Sequence, residues 1–378
     1  MTRSSVHLSL ATLVGVVVIA SGTARARSVK VTKTADVDTR LFTLKKVTVD
    51  HPLGQLRIRG WDKRLVRISA VKLGPDDGTV RRLKVHANIN KGGSGSVEIR
   101  TGVLMKVRQQ KDPRRTLRLV RRAKKIRTAL SQLKRQPKPW TARNRQQIRK
   151  LYKGLLGTVR SLNEAVSSKL VARLRAVPIK GASLQLTLFV PRGVVVEGKT
   201  TKGDIDVANL RGPVTLFSRR GRIYARNVRG AVSTRTDKGH QYLSSIRGSV
   251  SANAYEGDLR LRSVRGAQIL ASLVRGHIIG HSLDAPLVRL TTTQGNVTVT
   301  ATLKANGRLV VHTRRGNIDV RILPSAGYRL RAQTWHGRLN LRRAARTHGK
   351  SPLRQRGVYG RGGGFVDLRA VFGNVKLR

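Results

Sequence analysis

The chain has 378 residues, enough for one large domain or several small ones, with 78 lysines and arginines against 18 aspartates and glutamates. A formal net charge of +60 makes the protein repel itself and attract nucleic acid, acidic polysaccharide or anionic lipid headgroups. Because the chain contains no cysteine, it can have no disulfide, cysteine nucleophile or lipoprotein anchor.

The first 26 residues resemble a secretory signal peptide. Arg3 supplies a positive start, residues 8–20 form a mainly apolar run, and Ala24-Arg25-Ala26 fits a cleavage site. The apolar run is too short to cross the hydrocarbon core as a helix. We therefore expect export across an inner membrane to the periplasm, the cell surface or the exterior; an uncleaved anchor is the alternative.

Between residues 101 and 180 apolar residues recur every three or four positions, which is typical of amphipathic helices. Pro137 and Pro139 divide the pattern in two, so it predicts a helical hairpin, assigned to residues 104–180. Residues 106–175 carry 23 lysines and arginines against two acids. Three interpretations stay open: a solvated face, a hairpin lying on anionic lipid or lipopolysaccharide, and contact with another polyanion.

Glycines recur at a fixed interval in the second half of the chain. Apolar residues two and four places after most of them indicate short strands, and the residue before each glycine alternates in type, so the true repeat is eighteen residues. The glycines that lie nine residues apart are Gly203, Gly212, Gly221, Gly230, Gly239, Gly248, Gly257 and Gly266. The sequence therefore predicts a mainly β protein: a single-chain β-solenoid of about 18 residues per coil with an inserted α-helical hairpin.

Three stretches share a recognisable pattern. Residues 186–214 contain VPRG followed by TTKGDIDV, residues 47–71 contain GQLRIRGWD, and the last residues read FVDLRAVFGNVKLR. They resemble the bacterial putative-adhesin family, an exported domain of unknown function with glycine-punctuated repeats. The resemblance implies that residues 27–103 are N-terminal strands and residues 181–378 the glycine-repeat part of one solenoid outside the inner membrane. It implies no catalytic residue.

Arginine precedes every second glycine of the repeat. These arginines lie eighteen residues apart, so successive coils should stack them along one edge at the ~4.8 Å spacing of paired strands. They are Arg211, Arg229, Arg247 and Arg265. We expect this column to bind a polyanion; the alternative is that arginine is only a tolerated, solvated turn residue.

Two tyrosines follow the same interval. Tyr224 and Tyr242 are eighteen residues apart at outward strand positions, and Arg260 follows one coil later. Such a column could stack on sugar or base rings of a ligand. Surface strands also favour tyrosine without any ligand.

Known catalytic and metal motifs are missing from the sequence. The nine histidines have no metal-ligand spacing, and a calcium-binding glycine repeat would need stacked aspartates that this chain lacks, so we expect no metal and no cofactor. Asp204 and Asp206, outward on one strand and ~7 Å apart, are the one carboxylate pair suited to glycoside cleavage. The simpler interpretation is that they are solvated strand residues.

The sequence thus predicts a non-enzymatic, exported, adhesin-like β-solenoid. Its basic surface would bind an anionic envelope or extracellular polymer: acidic polysaccharide, lipopolysaccharide or DNA. If the helical insertion is more than a solvated face, an anionic membrane surface is a further partner for it. Two alternatives remain: a structural cell-envelope protein without a specific ligand, and a β-helix enzyme that cleaves acidic polysaccharides.

Overall fold

The computed structural model describes residues 29–38, 43–90, 95–104, 126, 128, 151, 174–175, 182–323, 327–341, 346–351 and 353–378. The chain divides into two compact units, one of Met1–Gly102 with Pro178–Arg378 and one of Val103–Val177. Within the described part of the chain, no helix has the length and apolarity needed to span a membrane.

Two long sheets, in which parallel pairing dominates, make up the larger unit. In spatial order sheet 1 contains β1 (Val29–Asp38), β4 (Leu65–Gly74), β8 (Ser183–Pro191), β3 (Leu56–Trp61), β10 (Ile205–Leu210), β12 (Ile223–Val228), β14 (Gln241–Arg247), β16 (Leu259–Arg265), β18 (Ile278–Asp284), β20 (Val297–Thr302), β22 (Ile318–Leu323), β28 (Val375–Leu377) and β24 (Leu339–Leu341).

Sheet 2 is also built mainly from parallel strands. In spatial order it contains β25 (Arg346–Ser351), β26 (Arg354–Gly360), β23 (Gly327–His336), β27 (Gly364–Phe372), β21 (Arg308–Arg315), β19 (Leu287–Gln294), β17 (Gln268–Arg275), β15 (Val250–Glu256), β13 (Val232–Lys238), β11 (Val214–Arg220), β9 (Val195–Lys202), β2 (Leu44–Asp50), β6 (Gly95–Leu104) and β5 (Leu83–Asn90). The two-residue strand β7 (Leu174–Arg175) pairs with the end of β6, and one helix, α1 (Asp77–Arg82), connects β4 to β5.

Each coil contributes one strand to each sheet, and neighbouring coils pair in parallel. The register advances by eighteen residues over the first repeats and by nineteen or twenty-one later, as the pairs Ile205–Ile223, Val214–Val232, Leu259–Ile278 and Val297–Ile318 show. The prediction of a mainly β, solenoid-like fold is therefore confirmed.

Two predicted segments fall mostly or wholly outside the described residues. The signal peptide, residues 1–26, lies there completely, and so does most of the segment 104–180 assigned to the helical hairpin. Of that segment the structure describes helical residues only singly, at 126, 128 and 151, which gives the hairpin no support. Both segments, and the division of the chain that they define, stay predictions.

The core is a stack of aliphatic side chains between the sheets. The residues two and four places after the glycines point inward, as predicted: Ile205, Val207, Val214, Leu216, Ile223, Ala225, Leu259 and Leu261 are all buried. Each fully buried valine, leucine or isoleucine contributes roughly 1.5–3 kcal/mol. Repetition of that contribution in every coil stabilises the stack, and Tyr328 is an aromatic side chain buried in the same core.

One glycine column runs along the corner where sheet 2 strands turn into sheet 1. The backbone at Gly239 has φ +146°, and a Cβ there would lie 1.9 Å from the carbonyl oxygen of Gly221. Side chains are therefore excluded by both conformation and contact. The column comprises Gly54, Gly203, Gly221, Gly239, Gly257, Gly276, Gly295, Gly316, Gly373 and Gly337 in spatial order.

Spatial order departs from chain order at both ends of the stack. Near the N-terminus β3 lies between β8 and β10, and β2 lies between β6 and β9. At the other end β27 and β28 lie between the coil of β21 and β22 and the coil of β23 and β24. The last residues of the chain thus form the second-to-last coil and not the closing one.

A buried histidine makes the stability of this fold depend on pH. His51 is fully buried and its Nδ1 lies 2.8 Å from the Thr101 hydroxyl oxygen. Burial lowers the pKa of His51 from 6.5 to about 4, because the charged ring would lose its hydration.

Between pH 6.5 and pH 4 the unfolded chain therefore binds a proton that the folded chain excludes. We expect the free energy of unfolding to fall by about 2 kcal/mol from pH 7 to pH 5 on account of this residue. Denaturant titration at both pH values should show a smaller fall in His51→Gln. An equal fall in both proteins would contradict the assignment.

Candidate polyanion-binding surface

A backbone kink near the end of β10, β12, β14 and β16 presents arginine to solvent. Asn209, Asn227, Ser245 and Ser263 have φ between 52° and 62°, a left-handed conformation that asparagine tolerates better than most residues. The next residue then points into the core, as Val228 does, and the following arginine points outward. The kinks of two neighbouring coils are connected by a side-chain hydrogen bond, in which Asn227 Nδ2 donates to Asn209 Oδ1 at 2.8 Å.

The four predicted arginines lie at one corner of the solenoid, on successive coils. Arg247 and Arg265 are register partners in β14 and β16, and the Arg229 amide donates to the Leu210 carbonyl oxygen one coil earlier at 2.8 Å. Arg211 continues the column, and all four side chains are exposed. The structure therefore brings Arg211, Arg229, Arg247 and Arg265 together along one edge, as the repeat predicts.

The charge of this column is compensated at one end only. Arg265 Nε lies 2.7 Å from Asp284 Oδ2, and Asp284 also contacts Lys304. Within the described residues, the side chains of Arg211, Arg229 and Arg247 form no ion pair and no hydrogen bond. Three neighbouring positive charges are thus free to meet a ligand.

Two more arginines widen the basic surface. Arg226 and Arg262 occupy one outward row of sheet 1, with Ser244 between them. Arg226 is bound to Asp206, whereas Arg262 is exposed and has no ion pair in the described part of the chain. We call the six residues the arginine edge: Arg211, Arg226, Arg229, Arg247, Arg262 and Arg265.

The two tyrosines stack on each other. The ring centroids of Tyr224 and Tyr242 are 4.9 Å apart with an angle of 7° between the ring planes, and the Arg260 guanidinium lies 5.6 Å from the Tyr242 centroid. Arg222 Nη1 donates to the Tyr224 hydroxyl at 3.4 Å. A sugar or base ring therefore cannot enter between the tyrosines, and the column offers a ligand mainly hydroxyl groups and ring edges.

Both carboxylates considered for glycoside cleavage accept hydrogen bonds from arginine residues. Asp206 binds Arg59 and Arg226, and Asp204 Oδ1 accepts from the Arg222 amide at 2.7 Å. Burial alone would raise the pKa of Asp206, but the hydrogen bonds from the two arginines outweigh it and lower that pKa. Asp206 thus stays ionised at neutral pH and cannot serve as the general acid that glycoside cleavage requires.

Comparisons with known proteins do not identify a family for this chain. No family model matches the chain, and no curated protein matches it. Among solved structures the chain is similar to a putative cell adhesion protein from Clostridium sporogenes, with 9% sequence identity over 92% of this chain and 98% of that chain, at a TM-score of 0.21. A TM-score this low supports no conclusion about fold or function.

Polar residues directly after the corner glycines form a second ladder that sequence reasoning missed. Each accepts a hydrogen bond from the backbone amide of the next coil at 2.7–3.0 Å, through Asp204, His240, Asp258, His277, Asn296, Asn317 and Asn374. In His240 and His277 the acceptor is the ring nitrogen Nδ1. The sequence signal that could have predicted this ladder is the polar residue that follows most of the corner glycines.

The described residues hold no group of three histidine, cysteine, aspartate or glutamate side chains placed to bind a metal ion. What the surface does offer is positive charge at regular intervals. The arginine edge is therefore the strongest candidate site.

Proposed function

We propose that this chain is an exported, non-enzymatic, adhesin-like β-solenoid that binds a linear acidic polysaccharide along the arginine edge. One observation carries the proposal. Arg211, Arg229, Arg247 and Arg262 are exposed at one corner, and none has an ion-pair partner among the described residues. Two such charges ~4.8 Å apart in water repel by a little under ~1 kcal/mol, and a bound anion removes that cost.

The geometry suits a polymer better than a small anion. From Arg211 to Arg265 the edge rises three coils, about 14 Å at the spacing of paired strands. Guanidinium groups repeated along a straight, backbone-bonded scaffold match a chain whose own negative charges repeat. Arginine also forms paired hydrogen bonds to carboxylate and sulfate groups, the acidic groups of such polysaccharides.

Recognition by charge favours acidic polysaccharide over single-stranded nucleic acid. Proteins that bind single strands stack bases on open aromatic faces. Here the mutual faces of Tyr224 and Tyr242 are occupied, and Arg260 covers a further face of Tyr242. A structural role without a ligand gives no reason for several uncompensated arginines on one corner. The enzymatic alternative is less well supported because both oxygens of Asp206 are engaged by Arg226 and one of them also by Arg59.

Salt dependence tests the proposal. We expect the protein to bind heparin, used as a sulfated probe, with an affinity that falls log-linearly with salt and a slope of about three to four, roughly one per contacting arginine. Titrations with heparin and with duplex DNA of equal charge, at several salt concentrations, measure this. If heparin does not bind, or binds with an affinity that does not change with salt, the proposal is excluded. If the protein binds DNA clearly more tightly than heparin, DNA and not polysaccharide is the ligand.

A further inference from the structure

Large apolar side chains are exposed together at the C-terminal end of the solenoid. Trp335 is 47% exposed, Phe372 46% and Leu353 39%. Trp335 and His336 are the last residues of β23, and Phe372 is the last residue of β27. The ring centroids of His336 and Phe372 are 4.8 Å apart. The Thr334 amide donates to the Leu353 carbonyl oxygen at 2.9 Å, which places Leu353 opposite the residue before Trp335. We call Trp335, Leu353 and Phe372 the C-terminal patch.

Positive charge surrounds this patch. Arg314 and Arg315 are exposed one coil away, Arg315 being the register partner of Phe372. Arg338 and Arg354 follow Trp335 and Leu353 closely in the chain and are also exposed. An apolar centre with a basic rim therefore forms one corner of the stack.

Acidic groups near the patch are few and already bound. Residues 301–378 contain 18 lysines and arginines but only two acids, Asp319 and Asp367. Asp319 pairs with Arg378, and Asp367 receives Arg369 Nη2 at 2.7 Å. The rim thus keeps its positive charge for an external partner.

We propose that the C-terminal patch docks on the surface of an anionic lipid bilayer. Tryptophan is enriched at the boundary between headgroups and hydrocarbon, where one part of the ring is apolar and another polar. Each arginine close to an anionic surface adds about 1 kcal/mol of attraction. The combination of exposed aromatic rings with an arginine rim matches such a surface in both respects.

Other occupants fit less well. A second copy of this chain would bring another +60 charge against the same basic rim. The C-terminal patch is also separate from the arginine edge. The arginine edge lies at the turns from sheet 1 strands to sheet 2 strands, whereas Trp335 and Phe372 lie at the turns from sheet 2 strands to sheet 1 strands. The bilayer contact is thus independent of the polysaccharide site.

Vesicle sedimentation of the full chain tests the docking. We expect binding to phosphatidylcholine vesicles that contain phosphatidylglycerol and little binding to phosphatidylcholine alone. The double variant Trp335→Ser, Phe372→Ser should bind the anionic vesicles at least tenfold more weakly. The matched control is Tyr255→Ser, which changes an equally exposed aromatic residue of sheet 2, 52% accessible, far from the patch. It should bind like the unchanged protein.

A second pair of variants separates docking from general attraction by charge. Arg314→Ser with Arg315→Ser should also weaken vesicle binding, while heparin binding by the arginine edge persists in every patch variant. Circular dichroism confirms that the variants fold. Equal vesicle binding by the double variant and the Tyr255 control would overturn the proposal. So would self-association that the double variant abolishes in gel filtration, because the patch would then join two copies.

Discussion

The triple variant Arg211→Ser, Arg229→Ser, Arg247→Ser is expected to bind heparin about 100-fold more weakly while keeping its fold. These three guanidinium groups are exposed and have no ion-pair partner in the described residues, so nothing in the folded chain depends on them. At about 1 kcal/mol for each contact with an anionic surface, three lost contacts amount to roughly two powers of ten. Isothermal titration at fixed salt measures the change, and the salt slope should fall by about three.

A control with the same loss of charge decides whether position matters. Arg219, Arg235 and Arg275 are exposed on sheet 2, away from the arginine edge. Arg219→Ser, Arg235→Ser, Arg275→Ser removes three positive charges as well, yet affinity should fall only a few-fold. If both triple variants lose affinity equally, binding follows net charge and the arginine edge is not a site.

Gly239→Ala should destabilise the repeat strongly. An alanine Cβ would lie 1.9 Å from the Gly221 carbonyl oxygen, at a φ of +146° that side chains rarely adopt. The coils of Gly221 and Gly239 must separate, which weakens the backbone bonds between them, such as that from the Gly221 amide to the Lys238 carbonyl oxygen. We expect the free energy of unfolding to fall by at least ~3 kcal/mol, since each coil is stabilised mainly by its neighbours.

Gly193→Ala provides the comparison. Gly193 lies at a turn outside the glycine column, and a Cβ there would meet no described atom within 4 Å. Its effect on denaturant unfolding should stay below ~1 kcal/mol. Hydrogen exchange would show protection lost around β12, β14 and β16 in the Gly239 variant alone. Equal stability of the two variants would mean that the close stacking of the glycines is not required.

Local periodicity explains why much of the stack could be predicted. The glycine at every ninth place and the apolar residues after it are properties of one coil repeated, so the inward positions such as Ile205 and Leu259 follow from short stretches of sequence. The arginine column follows in the same way, because an interval of eighteen residues is also the register of paired strands.

Three features depended on information that a local pattern does not contain. The coil after Arg265 has nineteen residues, which places Asp284 beside Arg265 and ends the column in an ion pair. The left-handed backbone at Asn209 and Ser245 could not be predicted either, because regular strand alternation simply points every second residue outward and contains no such kink. Pairings between distant segments, such as β3 with β10, are set by tertiary contacts and not by spacing.

The position of β27 and β28 determines the order in which this protein can be assembled. A ribosome delivers β23 and β24 before the residues that must lie between them and β22. The stack therefore cannot grow steadily from its first coil to its last during synthesis. The coil of β23 and β24 has no neighbour on that side until β27 and β28 have been made and have entered the stack. The coil of β23 and β24 is thus fixed in the stack only after strands that follow it in the chain have been inserted beside it.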